Sequence, residues 1–159
     1  MNPGNKDSWL WADVVLSWLI PGFGFLHRKR YVRGVLLFVV IEGTFVVGLV
    51  LHGAVSIPII NLTGGGIIGF LSFVIQLGNG ILGLVSLWAY TVVERIREQG
   101  LDPTGLIEFF GGRPSQALFE MGGFYLLVSG AMNYFATMNF YDRYKKRGKK
   151  TSPESKGKA

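Results

Sequence analysis

Glu42 stands alone in an apolar run from Gly34 to Leu51, and it is the residue best placed to do chemistry in this chain. An acidic side chain near the middle of a membrane helix costs about 2.5–3.5 kcal/mol on insertion scales unless it is neutralised or paired. Two readings follow. Glu42 either relays a proton or cation, or is held neutral and donates a hydrogen bond to another helix, worth about 0.6 kcal/mol as such bonds average in membrane proteins. A relay needs several ionisable groups in register, and only Asp13 and His52 occupy comparable positions, so the hydrogen bond is the expectation. Three amides lie at similar depth: Gln76, Asn79 and Asn133. Gly130, Asn133 and Thr137 share one helix face, the pattern by which membrane helices approach closely and bond, and helix packing is expected over a substrate pocket.

Other chemistry is absent. There is no Cys, which removes disulfides, thiolate metal sites and a Cys nucleophile. The chain has no His-Glu-x-x-His, no Gly-x-Ser-x-Gly and no phosphate loop, and Gly64-Gly65-Gly66 lacks the Lys and strand context of a nucleotide site. His52 has no second ligand at metal spacing, and His27 reads as an interfacial charge within a basic cluster. No catalytic residue, cofactor or metal is therefore assigned, and an enzyme is not expected.

Four apolar blocks must position these groups: residues 9–26, 34–51, 67–93 and 121–140. The first carries Asp13 near its start and Pro21-Gly22-Phe23-Gly24 near its end; a helix over about Ala12–Ile20 is expected to break there into a basic turn. With one Lys before Trp9 and no small-x-small cleavage site, this block reads as a retained first span and not a cleaved signal. The second block is long enough to span. The third holds about 40 Å of helix, long for one crossing, and contains Gly78-Asn79-Gly80, a kink or re-entrant tip. Residues 94–120 form a polar loop with an interfacial helix near Leu106–Phe110. Residues 145–159 are expected to be a disordered basic tail behind a single helical membrane domain, 1–144.

The net charge of +6 comes from Lys and Arg that flank apolar segments: Arg28, Lys29, Arg30 and Arg33 on one side, and eight residues from Arg143 to Lys158, among them Lys145, Lys146 and Arg147, on the other. This placement excludes nucleic acid as the partner and points to anionic lipid headgroups and membrane topology. If both basic regions are cytoplasmic, an even number of crossings must separate them, yet the blocks suggest three. Either block 67–93 folds back at Gly78-Asn79-Gly80, leaving residues 94–120 outside, or it crosses once and the tail is external; charge favours a cytoplasmic tail. Gly makes up 23 of 159 residues. Gly65 and Gly69 form a small-xxx-small pair, with Gly83 and Gly130 on further small faces, serving either packing within the chain or association with a second copy or a membrane-protein partner.

Pro21-Gly22-Phe23-Gly24, the basic run ending Arg33-Gly34, Gly123, Ser129-Gly130-Ala131-Met132-Asn133 and Tyr141-Asp142 together resemble a small bacterial multipass family known only as a domain of unknown function. The front half is also distantly similar to the two-transmembrane-helix domain. This chain has Phe25 where the family pattern has His, and Lys29 where it has Gly. The resemblance implies a fold and a bacterial inner-membrane location, and supplies no mechanism. The reading as a whole is an all-α multipass membrane protein with a structural or accessory role; the alternative is a minor transport or proton-conducting component centred on Glu42.

Overall fold

The computed structural model describes the backbone of residues 4–55 and 66–150 and the side chains of 10–55 and 66–145. Residues 56–65, Gly65 among them, lie outside the described residues; they make up most of the stretch His52–Gly66, which lacks Lys and Arg and is expected to form an external loop, and residues 151–159 lie outside too. Within those limits the chain is all-helical, with no strand among the described residues. Two helices are long and apolar enough to cross a membrane: α3, Tyr31–Val50, and an interrupted one over Gly66–Glu98.

Helix α1, Gly4–Leu19, starts earlier than expected and ends where expected. Pro21 has no N–H, so the helix loses its next bond; the last is from Ile20 N to Leu16 O at 2.9 Å. The chain reverses at Gly22, whose φ of 80° favours glycine and where a Cβ would strike the Gly34 backbone. The short α2, Phe23–His27, then runs back. The long helix α7, Phe119–Lys150, shows where both arms lie. Trp11 packs on Tyr141 at 5.5 Å and Trp18 reaches Asn133, while Phe25 meets Phe140 edge-on at 5.3 Å and Arg28 sits 5.0 Å over the Tyr144 ring. Helices α1 and α2 therefore enter along the C-terminal half of α7 and return toward the same end. The first apolar block is a hairpin, where a single span was expected.

Apart from Arg33, Glu42 and Thr44, helix α3 is apolar on all sides over about 30 Å. Its stripe of Ile41, Phe45, Gly48 and Leu49 is buried against α7, and Val32, Leu36 and Val39 are exposed. At its far end the chain bends at His52, and Arg113 N donates to His52 O. There Gly48 and Gly53 meet Gly122 so closely that a Cβ on either would collide with its backbone. Val55, Phe45, Leu49 and Leu126 form the core, with Phe73, Leu82, Leu87 and Phe110 packed around them.

The third block is broken as expected. Helix α4, Gly66–Gln76, gives way to a three-residue 3₁₀ turn, Leu77–Asn79, and then α5, Gly80–Glu98. Helix α4 packs on α7 and α5 on the short α6, Gly105–Gly111. The break starts deep in the bundle, where Gly80 lies against the carbonyls of Trp18 and Leu19, and α5 leads from it to the end occupied by His52, since Arg97 donates to Gly112 O and Gly112 abuts His52. Val55 is bonded to Ser86 on the way. The stretch from Val55 to Glu98 thus returns to the end from which it left, although α4 and α5 do not pack side by side as a hairpin would.

Arg33 and Arg143 line one groove, so the basic turn and the start of the basic tail share one end of the molecule, and residues 94–120 occupy the other. Arg113 bonds to Glu108 beside α6 and holds that carboxyl below the ordinary carboxylate range. Helix α7 continues through Lys150, six residues into the segment expected to be disordered.

Candidate functional site

The interior polar groups gather on one face of α7. Gly130, Asn133 and Thr137 follow one another at helical spacing and are all buried, the stripe expected of a helix that others approach closely, and the buried Ser129 adjoins it. Against this stripe lie the two places where the chain breaks its helices, the Pro21 turn and the 3₁₀ joint.

Each break frees carbonyls, and the amides take them. Trp18 O would accept from residue 22 if α1 continued; it accepts instead from Asn133 Nδ2 at 2.7 Å. The same nitrogen donates to Gly78 O, also at 2.7 Å. Gln76 O would accept from Gly80 N, but that N–H turns to Leu77 O in the tighter 3₁₀ bond. Asn79 Nδ2 replaces it at 2.7 Å and reaches Leu126 O at 2.8 Å. Ser129 Oγ donates to Ile41 O at 2.8 Å, tying α3 to α7, and Tyr134 donates to Val74 O at 2.9 Å. Gln76 Nε2 donates to Gly123 O at 3.4 Å.

These hydrogen bonds need backbone at close range. A Cβ on Gly130 would fall on Ile75 O, and one on Gly78 would fall on Gly130 O. The acceptor sides of the amides are left over: Asn79 Oδ1 and Asn133 Oδ1, and with them the Thr137 hydroxyl, are buried without a hydrogen-bond partner among the described residues.

Three of the four polar residues singled out from sequence are therefore brought together, and one is not. Gln76, Asn79 and Asn133 converge on the joint. Glu42 lies half-buried on α3 and makes no hydrogen bond among the described residues, so the helix-to-helix bond expected of it is absent there. Gly130 forms the close contact expected of it. Gly83 is buried, but a Cβ placed on it would meet Asn79 Cβ at 3.0 Å and Gln76 O at 3.2 Å, atoms of its own joint and not of a facing helix. Gly69 is half-buried on α4.

A second cluster was missed. Asp13 is 2% exposed and accepts from His27 Nδ1 at 2.6 Å and from Arg28 through Nε at 2.9 Å and Nη2 at 2.6 Å. His27 and Arg28 are thus partners of a buried carboxylate, whereas both were expected to act only as interfacial charges. Lys29 and Arg33 are exposed as expected of a basic collar, and Arg30 is half-buried. Lys145 bonds the Tyr141 hydroxyl at 2.6 Å, and the side chains of Lys146 and Arg147 lie outside the described residues. The signal for the clamp was in the sequence: a lone Asp on an apolar segment requires a cation, and the Pro21 turn sends the chain back toward it.

Among the described residues no group of three or more His, Cys, Asp or Glu side chains could hold a metal ion. The family model described as a family of unknown function (DUF6677) matches residues 12–151. No curated protein and no solved structure matches the chain.

Proposed function

We propose that this chain, which belongs to the family of unknown function DUF6677, is a multipass protein of the bacterial inner membrane with a structural or accessory role, and not an enzyme. One observation carries the reading. Three of the four main-chain carbonyls that take the amide donors of Asn79 and Asn133 lie at the helix breaks, so these two amides hold the fold together and have no donor left for a solute. The exposed apolar faces of α3 and α4 support a lipid surround. Close approach through Gly-rich faces is the mode of packing, within the chain and in contact with a second copy or a membrane-protein partner.

The basic end is assigned to the cytoplasm by the excess of Lys and Arg there. Since the chain has no Cys, single-cysteine labelling is clean. Cysteines at Lys29 and Lys146 are expected to be protected from an impermeant reagent in intact cells, and one at Leu101 to react. External labelling at Lys29 would overturn the orientation.

The competing reading, a proton- or cation-conducting component, is favoured by Glu42 alone, a half-buried carboxylate with no hydrogen bond among the described residues. Glu42→Gln keeps the shape and removes the exchangeable proton. Under the structural reading the variant accumulates and assembles like the parent and supports the same growth. Loss of the growth phenotype at normal protein level would promote conduction in its place.

A further inference from the structure

A groove of about 470 Å³ runs between the start of α3 and the C-terminal half of α7. Its walls are Phe25, Val32, Leu36, Leu37, Met132, Phe135 and Ala136, and its polar end is Arg33, Asn139 and Arg143. The volume lies within the range of small-ligand sites, about 300–1,000 Å³. From Met132 to Arg143 the groove follows about 16 Å of helix. Its apolar rim is open to the surroundings, with Val32 81% and Phe135 73% exposed.

The charges decide the occupant. Among the described residues, Arg33 and Arg143 are the charged ones that line the groove, Asn139 is its one other polar side chain, and no acidic side chain lines it. Asn139 Oδ1 accepts from Arg143 Nε at 2.7 Å, which fixes that guanidinium with both terminal nitrogens unbonded among the described residues. Arg33 makes no hydrogen bond or ion pair among the described residues. A pair of guanidiniums is suited to a phosphate diester, which accepts two parallel N–H bonds from each. We propose that the groove is a specific site for one anionic phospholipid, its phosphate between Arg33 and Arg143 and one acyl chain along Leu36, Leu37, Met132 and Phe135. The site rests on the membrane reading given above and adds selectivity to it: a general basic collar attracts any anionic surface, whereas this groove retains a single lipid. A helix from a second copy would fill the apolar channel but leave the two guanidiniums unmatched.

The test is native mass spectrometry of the full chain in mild non-ionic detergent, offered phosphatidylglycerol and phosphatidylcholine of equal chain length. Wild type is expected to retain one phosphatidylglycerol with about tenfold preference, and Arg33→Gln with Arg143→Gln to lose most of that preference. Lys29→Gln with Arg95→Gln, which removes the same charge elsewhere, should keep it, and Ala136→Trp, which fills the channel, should abolish retention of either lipid. Inorganic phosphate should fail to compete, because the acyl chain supplies most of the affinity. Equal retention of both lipids by wild type, preference that survives the double Arg substitution, displacement by inorganic phosphate, or a dimer that Ala136→Trp dissociates would each overturn the proposal. The wild-type competition decides it even where a variant fails to fold. Extraction of the chain from membranes by alkaline carbonate would overturn the membrane reading and this site together, while a firmly embedded chain without lipid preference would overturn the site alone.

Discussion

Gly130→Val is expected to stop α4 and α7 from closing on each other. The Cβ of any residue here would overlap the Ile75 carbonyl oxygen, approach its carbon to 3.0 Å and meet Asn79 Nδ2 at 3.2 Å. Two of these atoms are backbone, so no rotamer relieves the clash, and the third is the donor that satisfies Gln76 O and Leu126 O. Overpacking a core costs about 1–3 kcal/mol when side chains can yield, and more when they cannot. Adding two disturbed hydrogen bonds to buried carbonyls, at about 1 kcal/mol or more each, places Gly130→Val near 4 kcal/mol. The measurement is thermal unfolding in detergent by circular dichroism. Gly130→Ala should fall by roughly half that cost, and Gly43→Val, at a site where a Cβ meets nothing within 4 Å, should stay near the parent. Equal melting of the Gly130 and Gly43 variants would remove close helix approach from the account of this fold.

The helix breaks and the apolar periods were legible from local residue type. Pro21-Gly22 ended α1, and Gly78-Asn79-Gly80 interrupted the third block, because a missing N–H and a left-handed φ are local properties. Stripe membership was legible too: Gly130, Asn133 and Thr137 fall on one face for any helix register. Partners were not. Nothing local says that Gly122 will lie against Gly48 and Gly53, since that contact is made by the path of the chain between them. The same limit explains Glu42. An acid in an apolar run calls for a partner, and the helix that carries it turns the carboxylate to the edge of the buried face, one position past Ile41, where the described residues offer none. The hairpin of α1 and α2 was hidden for a further reason: block length suggested a span, and α2, at five residues, is too short to register as a helix of its own.

Asn133 is expected to be the second costly position, and it separates bonding from packing. One nitrogen satisfies two carbonyls, Trp18 O at the end of α1 and Gly78 O in the joint. Asn133→Leu keeps the volume and leaves both carbonyls buried and unpaired, about 1–3 kcal/mol apiece, or about 2–6 kcal/mol together. The lower end is the better estimate in lipid, where interhelical hydrogen bonds average about 0.6 kcal/mol because the unfolded chain also finds partners. Asn133→Asp is the sharper probe. It preserves the shape and replaces two N–H donors by at most one O–H, leaving a carboxyl oxygen against a carbonyl oxygen, so it should melt well below wild type. If the amide served a solute through its free Oδ1, the carboxyl oxygen would keep that acceptor and Asn133→Asp would retain stability. Detergent melting curves of the two variants beside wild type decide between these outcomes. A stable Asn133→Asp would transfer the residue from the joint that holds the helices to a site that binds.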